Sequence, residues 1–170
     1  MYNMKKIMDE LKSYVIIVIV VVLFRTFIAT PVKVDGSSMD STLKNNDILI
    51  LNKLDRSYDR FDIVVIKYGK TKLVKRVIGL PGENIEYKDN ELYINGKKVE
   101  DKSISRTADF KLTDLYNKDK LPDGYYFVMG DNRANSLDSR SELVGLVNKK
   151  DIIGTTKIRL FPFNKIGIVK

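Results

Sequence analysis

The side chains that could carry hydrolytic chemistry here are a serine behind a glycine, a lysine inside an apolar strand and a dense polar loop. The 170 residues include no histidine and no cysteine. That removes Ser-His-Asp triads, Cys-His pairs, zinc sites built on histidine and thiolate metal sites. A peptide-bond hydrolase built from this chain must take its base from lysine, aspartate, glutamate or an N-terminal amine. Gly36-Ser37-Ser38-Met39 is a turn in which glycine lets the backbone bend and Ser38 can expose its hydroxyl; an ordinary serine turn reads the same way. Lys75 lies in Leu73-Val74-Lys75-Arg76-Val77, and strand alternation puts it on the face of Leu73 and Val77. A free lysine at a pKa of ~10.4 is neutral only about once in 2,500 at pH 7. Desolvation between apolar neighbours lowers that pKa, as a lysine base requires. The alternative is a lysine whose stem crosses apolar surface and whose amine reaches water. Gly130 to Arg140, GDNRANSLDSR, follows an apolar strand and carries enough hydrogen-bonding groups to fix a catalytic side chain; a plain surface loop has similar composition.

Elements must exist to position these residues. Val15 to Phe24, VIIVIVVVLF, is an unbroken apolar run. It predicts an uncleaved transmembrane helix over 13–30, with Lys12 and Arg25 reaching the interfaces and Pro31 marking its end. A buried strand and a cleaved signal peptide are the rival readings; bulky Phe27 disfavours cleavage after Ala29. Lys5, Lys6 and Lys12 place residues 1–12 in the cytoplasm. Beyond Pro31, short β-branched and aromatic runs predict strands at 47–51, 63–66, 71–78, 125–129, 143–147 and 152–160. Asp89-Asn90 and Asn95-Gly96 predict small hairpins within 84–99. Residues 100–122 read as a loop with one helical turn. The expectation is a mostly β, antiparallel domain over 31–170, with a small inserted hairpin subdomain at about 83–123. The net charge of +8 fits a solvated basic surface or attraction to anionic lipid. No dense basic run with interleaved aromatics appears, so no nucleic-acid partner is expected.

Taken together and in order, these segments resemble type I signal peptidases. The family pattern Gly-x-Ser-Met-x-Pro-Thr-Leu is met by Gly36 to Leu43, except that Ser41 stands for the proline. Phe61 to Val65 is similar to the family's Gly-Asp-Ile-Val-Val, with Phe61 in place of glycine. The Lys-Arg-Val-x-Gly-x-Pro-Gly block is intact at Lys75 to Gly82, and the Gly-Asp-Asn-Arg-x-x-Ser-x-Asp-Ser-Arg block at Gly130 to Arg140.

The resemblance implies a catalytic domain of signal-peptidase type. It implies Ser38 as nucleophile, Lys75 as base, Ser136 orienting the lysine, and Asp138 and Arg140 bracing the site. Gly36, Ser37 and Met39 form the nucleophile turn. The Ser38 N–H is the first oxyanion donor; Gly36 lacks the hydroxyl that some relatives use as the second. It implies exported preproteins as substrates, cut after small residues at −1 and −3, with an anionic bilayer and the secretion translocon as further partners. The single-pass anchor would leave the catalytic domain outside the cell membrane. No metal or organic cofactor is implied. Two alternatives stand beside it: a self-cleaving repressor-type Ser/Lys protease, and a non-catalytic membrane-anchored β-domain.

Overall fold

The computed structural model describes residues 4–101 and 103–169, and the side chain of Lys5 is not among the described ones. Residues 1–3 of the expected cytoplasmic tail, residue 102 of the expected loop and residue 170 lie outside that range.

Helix α1 is Met4–Phe27. Strand β1 follows at Ala29–Lys33, then β2 at Ile48–Asn52, β3 at Ile63–Tyr68 and β4 at Thr71–Gly79. The hairpin region supplies β5 (Ile85–Lys88), β6 (Glu91–Ile94) and β7 (Lys97–Val99). Next come β8 (Phe110–Lys111) and the short helix α2 (Leu112–Tyr116). The chain closes with β9 (Tyr125–Met129), β10 (Val147–Asn148), β11 (Ile152–Phe161) and β12 (Gly167–Ile168). The large sheet is ordered β1-β2-β11-β3-β4-β9-β10, with β12 beside β11; the small sheet is β7-β6-β5-β8. The pairings are antiparallel.

Alternation along β3 and β4 sends side chains into two separate cores. Ile63, Val65 and Val74 join Met39, Leu43 and Leu49 on one face. Val64, Ile66 and Val77 join Tyr126 and Val128 on the other. A third cluster, including Ile78, Ile85, Tyr87, Leu92 and Phe127, packs the small sheet onto the end of β4 and β9. Lys75 therefore rests on a strand buried on both faces, which is the rigid footing a site needs.

The N-terminal expectation is corrected in part. Among the described residues, no helix is long and apolar enough to cross a membrane. Asp9, Glu10 and Lys12 lie in the first half of α1 and Arg25 near its end. The helix stops at Phe27, and residues 29–30, expected inside it, already belong to β1 at the sheet edge. Pro31 sits in this edge strand, where a missing N–H is tolerated. The strand expected over 143–147 is reduced to Val147–Asn148, because Gly145 turns the chain at φ 67°.

Candidate active site

Lys75 is placed by β4. It pairs with Val64 across the β3 ladder and is 1% exposed. Burial is the main influence on its amine and pushes it down to about 8. Asp138 and Asp131 oppose that shift, and Arg140 adds to it. The amine donates to Ser136 Oγ at 3.1 Å. An amine held near 8 is neutral in a useful fraction of molecules at physiological pH, with one fixed partner to aim it.

Ser38 is placed by the turn between β1 and β2. Met39 is 1% exposed and plugs the turn into the core with Leu43 and Leu49. Gly36 adopts φ 93°, and its N–H donates to Asn45 Oδ1 at 3.0 Å. The 130–140 loop grips the turn from the other side. Asn132 N–H donates to Ser38 O at 3.0 Å, Asn132 Nδ2 to Ser37 O at 3.2 Å, and Asn135 Nδ2 to Ser37 Oγ at 3.0 Å. Gly130 closes the arrangement: a Cβ there would lie 2.4 Å from Ser38 O and 2.2 Å from Ser136 Oγ. Only glycine lets the nucleophile turn and the lysine-holding serine approach one backbone position so closely.

Asp138 is fully buried and accepts from Gly130 N–H at 3.0 Å and from Arg140 Nε and Nη2, each at 2.9 Å. Burial alone would raise its carboxyl; the hydrogen bonds and charge of Arg140, the Gly130 N–H and the Ser136 hydroxyl outweigh it and hold it below the usual range. Ser136 thus joins the Lys75 amine to a fixed carboxylate. Arg140 Nη2 also donates to Arg133 O at 2.7 Å, which ties the loop back on itself.

Ser38, Ser136, Lys75, Asp138 and Arg140 are brought into one region, together with Gly36, Ser37 and Met39. Three features were not picked out from sequence. Asn132 and Asn135 hold the turn, and only the general polarity of the loop signalled them. Arg76, the neighbour of Lys75 on the opposite face, forms a bidentate ion pair with Asp131 at 2.8 and 2.7 Å, both side chains 2% exposed. Arg133 donates to Tyr87 Oη at 2.7 Å and Thr107 Oγ1 at 2.8 Å, fastening the small sheet to the loop. Among the described residues, no group of three or more acidic side chains is arranged to hold a metal ion.

The two departures from the family pattern carry unusual backbone. Ser41 has φ 89°, which proline cannot adopt. Phe61 has φ 71°, a left-handed conformation that the glycine of the pattern would take without strain.

Comparison with known proteins shows the family of the chain. Residues 7–161 match the family model described as signal peptidase, peptidase S26. The chain is 45% identical to signal peptidase I S of Bacillus subtilis (strain 168), over 95% of this chain and 93% of that protein. It is 43% identical to a signal peptidase I of Bacillus amyloliquefaciens, over 96% and 93%. A crystal structure of a signal peptidase I from Enterococcus faecalis V583 superposes with a TM-score of 0.53 at 36% identity. That match covers 58% of this chain and 96% of the crystallised one.

Proposed function

The chain belongs to the signal peptidase family, peptidase S26, and on that premise we propose that it removes signal peptides from exported preproteins by a Ser38/Lys75 mechanism while attached to a lipid bilayer. As a signal peptidase I type endopeptidase it hydrolyses a peptide bond. Ser38 Oγ attacks the scissile carbonyl. The neutral Lys75 amine takes the hydroxyl proton, and the new amino terminus departs with a proton from the same amine. Lys75 then deprotonates the water that attacks the acyl-enzyme, releasing the signal peptide and regenerating Ser38. The Ser38 N–H faces the developing oxyanion. Ser136 aims the amine, and Asp138 with Arg140 holds Ser136. Small residues at −1 and −3 complete the substrate reading.

The observation that carries this proposal is the environment of Lys75: 1% exposed, pushed down to about 8, and bonded to Ser136 beside the Ser38 turn. Bilayer attachment is supported by α1. Its side chains from Val15 to Phe24 are 50–61% exposed, and they are apolar on every face. A helix apolar all round is at rest only in an apolar medium. Seated there by its apolar run, it would hold the sheets, which begin at Ala29, close to the bilayer surface.

Detergent-solubilised protein should cut a preprotein after its small residue, and Ser38→Ala should lower the rate by at least about 10³-fold. Cutting by the variant at the parental rate would rule out Ser38 as nucleophile.

A further inference from the structure

Helix α1 ends in a set of hydrogen bonds that goes beyond ordinary capping. The last carbonyls of an α-helix lack intrahelical donors. Here Lys53, just past the end of β2, supplies them: its Nζ donates to Arg25 O at 3.1 Å and to Thr26 O at 3.0 Å. Its own N–H donates to Ile28 O at 3.0 Å. Thr30 Oγ1, on β1, adds a bond to Arg25 O at 2.7 Å. The ammonium also lies at the negative end of the helix dipole. Helix and sheet are thus joined through side chains as well as through the connecting chain.

We infer that Lys53 is a positioning residue that fixes the sheet, and with it Ser38, at one height and orientation over the bilayer. This rests on the bilayer reading of α1 given above. The chain from Ile28 to Ser38 reaches roughly 35 Å at full extension, and β1, Ala29–Lys33, is the strand within that path. With the joint closed, Ser38 meets a signal peptide held in the same bilayer at a fixed level. With the joint open, α1 pivots about Ile28, and the fraction of molecules with Ser38 at the scissile bond falls. A soluble peptide diffuses to the site and has no level to match. Lys53 therefore acts on membrane-held substrates alone.

The test uses the full chain reconstituted in phosphatidylglycerol-containing vesicles, with a vesicle-inserted preprotein and a short soluble peptide carrying its cleavage site. Lys53→Met keeps the stem and removes the donor. Its kcat/KM on the inserted preprotein should fall about tenfold while the peptide rate stays within about twofold, the size expected from losing charged hydrogen bonds at one joint. Lys53→Arg should recover most of the loss, and Thr30→Val should give a smaller loss of the same selectivity. The peptide rate also reports that each variant is folded. Equal losses on both substrates, or no loss on either, would overturn the role of Lys53. If the parent protein does not float with the vesicles, the bilayer reading fails and the inference falls with it. Flotation of all variants without the substrate split sinks the inference alone.

Discussion

Replacing Lys75 by methionine should destroy activity and raise stability in the same molecule. Loss of a general base costs roughly 10²–10⁴-fold in rate, and Lys75 serves both acylation and deacylation in the proposed mechanism. The stability gain follows from proton linkage. The amine titrates at about 8 in the folded chain, against an ordinary value of 10.5. Between those values the unfolded chain binds more protons, so stability rises with pH through that window. Below about 8 the whole burial penalty, on the order of 3 kcal/mol, is present. Methionine has similar bulk and no charge to desolvate. Lys75→Met should therefore unfold at a higher temperature than the parent at pH 7, and the difference should shrink between pH 8 and 10.5. Thermal unfolding across that range measures it. A variant less stable than the parent at pH 7, by an amount independent of pH, would show that burial does not strain Lys75.

The second large effect is on folding. Arg76 and Asp131 are both 2% exposed and bound through two hydrogen bonds. Arg76 also donates to Phe61 O at 2.9 Å, and the Asp131 carbonyl accepts from Ser103 Oγ at 3.0 Å. The pair therefore links the β3 entry, β4 and the 130–140 loop. Removing one member of such a pair costs about 3–5 kcal/mol, because the other charge stays buried without its counterion. Asp131→Asn should lose that much in denaturant unfolding. The double change Arg76→Met with Asp131→Leu should recover much of it, since apolar residues carry no desolvation penalty. Single and double variants with the same low stability would mean that packing around the side chains, not the unpaired charge, sets the cost.

Much of this was legible in the residue pattern. The runs that became β3, β4, β9 and β11 are rich in β-branched or aromatic residues, and each formed a strand close to its expected bounds. Asp89-Asn90 and Asn95-Gly96 turned as such pairs do, with φ of 54°, 67°, 51° and 75°. Strand β1 was not legible, because Thr30-Pro31-Val32 follows directly on an apolar helix and proline reads as a helix end. Its pairing partner lies in β2, about twenty residues away, and local pattern carries no record of such pairing. The site divides in the same way. Lys75 was readable in part: alternation set it beside Leu73 and Val77, which fits a buried amine as well as one that reaches water, and the fold buries it. The hold of Asn132 and Asn135 on the Ser37-Ser38 turn was not, because it joins positions nearly a hundred residues apart through side-chain geometry. Gly130 reads as a turn residue in sequence; its reason is the crowding of Ser38 O and Ser136 Oγ against its Cα.

The pH dependence of kcat/KM on a cleavable peptide tests the central claim, that a buried Lys75 is the base for Ser38. The peptide should lack groups that titrate between pH 6 and 10. Activity should rise with pH as Lys75 loses its proton, with a midpoint near the value of about 8 set by burial. A rate that is flat or falling across that range, or one whose midpoint sits at the ordinary lysine value, would contradict it.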